Sequence, residues 1–197
     1  PVHLITGGAT RQDSVHAGLT ALTGLKDCKN INYVAIHDAA RPLIPTNLLD
    51  DLIAAVDNIN NDRQKTEIIG AIPALLLADS IKTIKRNNAQ NNSQNIPTSN
   101  LALISGGIDR SQLAAAQTPQ LFRRDIITKL HDDFVGKGDF TDDCSLAEAA
   151  GFKVTMINGA KQLMKLTDAD DFAMLSYHVE SDRTAQSYQQ KTDDKSM

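Results

Sequence analysis

The chain has 197 residues, 41% hydrophobic and 22% charged, with a net charge of -4; this suits one domain with a real core and argues against a global basic field for nucleic acid. Aromatic residues make up only 4% and Trp is absent, so little is available for a base-stacking surface. No apolar run reaches membrane-span length, no basic-then-apolar leader opens the chain, and Cys28 and Cys144 lack partners at metal-ligand spacing, so both are expected to be reduced thiols of a cytoplasmic protein.

In chain order, Val2, His3, Leu4 and Ile5 read as the end of a buried strand, followed at once by the loop "TGGATRQDSVHAGL". Val15, Leu19 and Leu22 share a stripe that predicts a helix over residues 14–22, with Ser14 or Asp13 as its cap. "YVAI" predicts a short strand, stopped by "HDAARP". Leu48, Leu49, Leu52, Ile53 and Val56 recur at helical spacing and predict a helix within residues 45–63, with Thr46 as cap. Residues 68–72 predict an apolar strand closed by Pro73. This rhythm predicts an open, mostly parallel α/β sheet, and such sheets bind ligands beyond the carboxyl ends of their strands.

"DSIKTIKR" alternates apolar and polar residues like a half-exposed strand, and "LALISGGIDR" reads as its return partner. Between them, "NNAQNNSQNIPTSN" is polar low complexity and is expected to form a mobile tip. Residues 79–112 are therefore expected to form a protruding hairpin arm with little core of its own, which needs a surface such as a second subunit to pack on. Beyond the arm, helices are predicted over residues 124–134 and 142–150, the second ended by Gly151, and a strand over 153–157. Asp168 starts a helix expected to turn Phe172, Leu175 and Val179 inward. One domain over residues 1–186 and a disordered polar tail over 187–197 complete the organisation.

Two loops fall where such a sheet would place a site. Gly7 and Gly8 permit a tight turn and close backbone approach, and the helix start behind them offers free N–H groups and a positive dipole end; a plain strand-to-helix turn accounts for them equally. In "HDAARP", Asp38 can take a divalent metal or a ribose hydroxyl, Ala39 and Ala40 leave room for a ligand, and Arg41 can grip an anion with two N–H groups. The competing account is a capped turn in which Arg41 pairs with Asp38. Thr141, ahead of Asp142 and Asp143, reads as an ordinary N-cap, and Lys165 as a solvated surface charge.

The motifs "GGATRQDSV", "HDAARP", "DSIK", "AQTPQLF", "TDDCSLAEAAG" and "MKLTDADDFAML" occur in that order, and the series resembles the 2-C-methyl-D-erythritol 4-phosphate cytidylyltransferase family over nearly the whole chain except the arm tip and tail. The resemblance implies a Rossmann-like nucleotidyltransferase fold and a homodimer clasped by the arms. It implies CMP transfer from CTP to 2-C-methyl-D-erythritol 4-phosphate, with Mg²⁺ as cofactor and pyrophosphate as leaving group, in non-mevalonate isoprenoid biosynthesis. No membrane or nucleic-acid partner is implied. Carried over by motif, Gly8, Ala9 and Ser14 would contact the cytosine and ribose, and Asp38 and Ala39 the ribose and metal side of CTP. Arg41, Ser80, Thr118 and Thr141 would line the methylerythritol phosphate pocket, with Ser80 standing where the family often has Thr. Arg110 would reach the substrate phosphate bound by the partner subunit, and Lys165 would align that phosphate for attack.

The family opens with a strand and a Gly-rich loop carrying an Arg, followed by a Lys, and nothing like that loop precedes Thr6 here. The chain is therefore expected to lack an N-terminal βαβ portion of the sheet and to be inactive alone. Two alternatives stay open: a non-catalytic nucleotide-binding remnant of the fold, and a cytidylyltransferase for another polyol phosphate such as ribitol 5-phosphate.

Overall fold

A computed structural model of the chain describes residues 2–60, 68–85, 103–138 and 140–193. They form two units, one of the described residues up to 74 and from 116 onward, the other of those between 75 and 115. In chain order the elements are α1 (Arg11–Thr23), β1 (Tyr33–Ile36), α2 (Leu48–Asn60), β2 (Ile68–Leu76), β3 (Ile81–Lys85), β4 (Leu103–Ile108), β5 (Ala114–Ala116), β6 (Gln120–Arg123), α3 (Arg124–Asp133), α4 (Asp143–Ala149), β7 (Lys153–Asn158) and α5 (Ala169–Asp193).

The larger unit is an α/β layer structure. β6 lies between β1 and β2 and runs antiparallel to both, while β7 pairs parallel with β2. The expected mostly parallel ladder is thus corrected: two of these three pairings are antiparallel and one is parallel. The cause is β6. Within the motif "AQTPQLF", Gln120, Leu121 and Phe122 are a buried strand wedged between β1 and β2. β2 also runs on through Pro73 to Leu76 instead of closing there, because Pro73 keeps its place in the β7 register opposite Ile157.

Successive residues of β6 point to opposite sides of the sheet. Phe122 joins Leu19, Ile69, Ile127, Leu130, Leu146 and Ala147, which come from α1, β2, α3 and α4. Leu121 joins Leu48, Leu52, Val56, Ala71 and Leu163. Leu48, Leu52 and Val56 are spaced by four and form the buried stripe of α2; Leu49, also expected on it, is exposed. Gly70 permits the close contact of β2 with β6, since a Cβ there would lie 2.4 Å from the Phe122 ring and 2.5 Å from the Leu121 carbonyl oxygen.

Several local expectations change. Val2 and Leu4 are almost fully exposed and lie in irregular chain, not in a buried strand, because no strand among the described residues pairs with them. α1 starts at Arg11 and is capped by Thr10, not by Ser14 or Asp13: Thr10 Oγ1 accepts from the Asp13 N–H, and the Asp13 carboxylate accepts from the Thr10 N–H. α4 is capped by Asp142, not Thr141, in a reciprocal pair with Ser145. On α5, Leu175 and Val179 are half-buried but Phe172 is exposed. α5 continues past Ser187 to Asp193.

In the smaller unit β3 and β4 form the antiparallel hairpin expected of the arm, with a register irregularity between Thr83 and Ile84. The Asn/Gln-rich tip lies outside the described residues. Among the described residues no helix is long and apolar enough to cross a membrane.

Candidate active site

The carboxyl end of β1 delivers "HDAARP" as a tight turn, with the Arg41 N–H donating to the Asp38 carbonyl at 2.9 Å. His37 braces this turn. Its Nε2 lies 2.8 Å from the Arg41 carbonyl oxygen, which can only accept, so Nε2 donates. In the neutral ring Nδ1 then accepts from the Thr118 hydroxyl at 3.0 Å, and the same hydroxyl oxygen accepts from the Asp38 N–H at 3.0 Å. Thr118 is buried just before β6, so the inserted strand pins the backbone of Asp38. A further bond, from the Leu166 N–H to the Ala40 carbonyl at 2.8 Å, ties the turn to the segment carrying Lys165.

Three cations converge on the Asp38 carboxylate. Lys165 Nζ donates to Oδ2 at 3.0 Å, and the Nε atoms of Arg41 and Arg11 each stand 4.0 Å from a carboxylate oxygen. Arg41 is the most buried of the three, at 13% side-chain exposure; its Nη1 donates to the Leu163 carbonyl at 2.5 Å, while its Nε is buried without a hydrogen-bond partner. Ala39 is exposed beside Asp38.

The glycine loop sits at the start of α1. The Gly8 N–H donates to the Ser14 hydroxyl at 3.1 Å, and that hydroxyl donates to the Thr10 carbonyl at 2.9 Å. A Cβ on Gly8 would lie 2.1 Å from the Asp13 Cβ, so only glycine fits. Gly8, Ala9 and Ser14 are all exposed.

On α4, Asp143 is buried and holds two cationic or donor groups. His131 Nε2 donates to its Oδ1 at 2.8 Å and Arg11 Nη2 to its Oδ2 at 2.6 Å. Burial pushes the Asp143 carboxyl up, but the hydrogen bonds from His131 and Arg11 outweigh it and leave the group below the usual carboxylate range. The buried Gln120 side chain bridges to the start of the same helix, donating to Asp142 at 2.8 Å and accepting from the Cys144 N–H at 3.2 Å. Thr141 is exposed next to this bridge. Burial, with Glu148, Asp142 and Asp143 nearby, pushes the Cys144 thiol up to about 12, so it is no nucleophile at neutral pH.

Asp38, Arg41, Thr118 and Lys165 thus form one connected cluster, with Ala39 exposed beside Asp38 and Gly8 bonded to Ser14 in the α1 loop. Ser80 and Arg110 belong to the smaller unit: Ser80 is exposed just ahead of β3, and Arg110 opens a 3-10 turn after β4 that is capped by Asp109. The residues that sequence reasoning missed are Arg11, Asp143, Gln120 and the bracing role of His37. A signal for Arg11 existed: a cation in the first turn of a helix opposes the helix dipole, so something must compensate it. The compensating group, Asp143, is 132 residues away in sequence and could not be paired with it in advance.

Among the described residues no three of His, Cys, Asp and Glu are grouped as an all-protein metal cage. The single partly exposed carboxylate of Asp38 nevertheless suits a hard divalent cation that draws its other ligands from water and ligand phosphates.

Residues 1–181 match the family described as 2-C-methyl-D-erythritol 4-phosphate cytidylyltransferase. A bifunctional IspD/IspF enzyme of Rhizorhabdus wittichii is 38% identical over 168 residues, which cover 85% of this chain and 36% of the relative. The chain therefore spans 36% of the length of that curated relative. The crystal structure of 2-C-methyl-D-erythritol 4-phosphate cytidylyltransferase from Francisella tularensis is similar with a TM-score of 0.63 at 25% identity, covering 87% of this chain and 69% of that one. The bifunctional IspDF of Campylobacter jejuni is similar with a TM-score of 0.60 at 27% identity, covering 87% of this chain and 36% of that one.

Proposed function

The chain belongs to the 2-C-methyl-D-erythritol 4-phosphate cytidylyltransferase family, and from that premise we propose that the protein carrying it transfers CMP from CTP to 2-C-methyl-D-erythritol 4-phosphate in non-mevalonate isoprenoid biosynthesis. The observation that carries this reading is Arg41: a nearly buried guanidinium with an unpartnered Nε, held 4.0 Å from Asp38 beside Lys165. A buried N–H without a partner is costly, and an anionic ligand would satisfy it.

In the reaction a phosphate oxygen of the polyol substrate attacks the α-phosphorus of CTP in line. The bond from that phosphorus to the bridging oxygen of the β-phosphate breaks, and pyrophosphate leaves with the electron pair. Two strongly anionic groups must meet, so fixed cations lower the barrier by offsetting their repulsion. Arg41 holds the substrate phosphate, and Lys165 aligns it for attack. Gly8, Ala9 and Ser14 take the cytosine and ribose through backbone and hydroxyl groups, with Asp38 and Ala39 on the ribose side. Thr118 and Thr141 flank the polyol pocket. Asp38 would hold Mg²⁺, which when bound neutralises triphosphate charge. The arm makes a homodimer in which Arg110 of one protomer reaches the substrate phosphate bound by its partner; the exposed Ile81-to-Lys85 and Leu103-to-Ile108 hairpin, with apolar Leu103, Ile104 and Ile108 on its surface, supports that reading.

The test is incubation of the whole protein that carries this chain with CTP, Mg²⁺ and 2-C-methyl-D-erythritol 4-phosphate. Pyrophosphate and the cytidine diphosphate ester of methylerythritol are expected together. Turnover only with ribitol 5-phosphate in place of the methylerythritol substrate would overturn the assignment.

A further inference from the structure

Arg11 departs from what its position should favour. It occupies the first residue of α1, where the positive end of the helix dipole repels a cation. A solvent-directed arginine could relieve this by swinging away. Arg11 is instead held, with Nη2 2.6 Å from an oxygen of Asp143, a carboxylate only 1% exposed. Asp143 is itself fixed from its other oxygen by His131, also 1% exposed, at 2.8 Å. The His131 ring lies stacked at 6.4 Å against His16 of α1, whose Nε2 is 2.8 Å from Asp132. The guanidinium thus has little freedom, and the direction in which it is held matters: its Nε faces Asp38 Oδ1 at 4.0 Å, too long for a hydrogen bond but within ion-pair range.

A bridge that served only to join α1 to α4 would be complete with Arg11 and Asp143 alone. It would not require the guanidinium to stand at the mouth of β1, one-third exposed, beside Arg41 and Lys165. Three cations there face the two carboxylates of Asp38 and Asp143, leaving positive charge in excess. Of the three, Arg11 stands on α1 with Ser14, whose hydroxyl accepts from the Gly8 N–H at 3.1 Å, so the helix sets its position relative to the glycine loop that precedes it.

Resting on the nucleotidyl-transfer reading, we infer that Arg11 is a ligand-contacting cation that takes a phosphate oxygen of the bound nucleoside triphosphate, and that Asp143 is a positioning residue that aims it. Asp143 acts through Arg11 and touches no substrate.

The experiment is a double-mutant cycle read by calorimetric titration of CTP with Mg²⁺, alongside thermal unfolding of each variant. Arg11→Gln is expected to weaken CTP about tenfold, as loss of one charge-assisted hydrogen bond would. Asp143→Asn keeps the shape of the side chain and is expected to weaken CTP by a smaller factor. The decisive result is the pair: with Arg11→Gln already present, Asp143→Asn should bring no further loss of affinity, and Arg11→Lys should recover part of it. Unchanged CTP affinity in both single variants, with only a lowered unfolding temperature, would reduce the bridge to a structural staple and overturn the inference. So would losses that simply multiply. Failure of the wild-type protein to bind CTP would instead overturn the nucleotidyl-transfer reading, and this inference with it. If Asp143→Asn fails to fold, the Arg11→Gln and Arg11→Lys pair decides alone: equal CTP affinity in both and in wild type refutes the contact.

Discussion

The Lys165 ammonium donates to Asp38 at 3.0 Å across 127 residues of sequence. Lys165 follows a short 3-10 turn after β7, and Asp38 follows β1, so the two strand ends meet through their side chains. At 48% exposure the lysine keeps access to solvent while one proton is held, and the pair is of the kind that opens when a stronger anion arrives.

A lysine that serves the second substrate should separate turnover from nucleotide affinity. Lys165→Ala and Arg110→Ala are each expected to lower kcat by about a hundredfold, the scale seen when one preorganised transition-state donor is removed. CTP affinity, measured by titration in the absence of the polyol phosphate, should change far less. Equal losses in kcat and CTP affinity would remove both residues from the role of aligning the attacking phosphate.

Two glycines give opposite expectations for the same substitution. At Gly70 a Cβ would meet the Phe122 ring at 2.4 Å and the Leu121 carbonyl oxygen at 2.5 Å, and backbone cannot move aside as a side chain can. Gly70→Ala should destabilise by about 3 kcal/mol or prevent folding. Gly18, inside α1, has nothing within 4 Å of its would-be Cβ, so Gly18→Ala should stabilise by roughly 0.5–1 kcal/mol. Urea unfolding of the two variants reads the sign directly.

Periodicity revealed most of the elements because burial follows local pattern. α2 shows its Leu48, Leu52 and Val56 stripe in sequence, and β1 is a short apolar run between polar turns. β6 escaped because a four-residue strand, buried on both sides and preceded by Pro119, leaves no alternation to read. Its insertion puts two antiparallel pairings into a sheet expected to be mostly parallel. Of the residues named from motifs, Asp38, Arg41 and Thr118 do come together in the fold. The partnerships were not legible: His37 with Thr118 spans 81 residues and Arg11 with Asp143 spans 132, and single-sequence reasoning carries no signal at that range.

Thr118 offers a near-isosteric test of how the site backbone is held. Its hydroxyl oxygen accepts from the Asp38 N–H and its proton serves His37 Nδ1. Thr118→Val keeps the volume and leaves both partners without a bond. A loss of about 1–3 kcal/mol is expected, the cost of buried polar groups left unsatisfied. Thr118→Ser should recover most of it, since the hydroxyl returns. Chemical denaturation of the three proteins measures the difference; a Val variant as stable as wild type would show that the hydroxyl does not brace the turn.

Asp143 should leave a mark on acid stability. Its carboxyl lies below the usual range in the folded chain, because the bonds from His131 and Arg11 outweigh the opposing effect of burial. In the unfolded chain it returns to about 3.9. The folded state therefore binds this proton less readily than the unfolded state does. The stability this provides is fully present above the unfolded value and is lost as pH falls from there through the depressed folded value. Wild-type unfolding free energy should accordingly decline as pH is lowered through and below about 4. Asp143→Asn cannot titrate, so it should be less stable than wild type at neutral pH by a few kcal/mol, on the order expected when one partner of a buried pair is lost. Its curve should also fall less steeply below about pH 4, and the two curves should converge toward strong acid. Parallel curves across that range, from urea unfolding at successive pH values, would show that the Asp143 charge is not what couples α1 to α4.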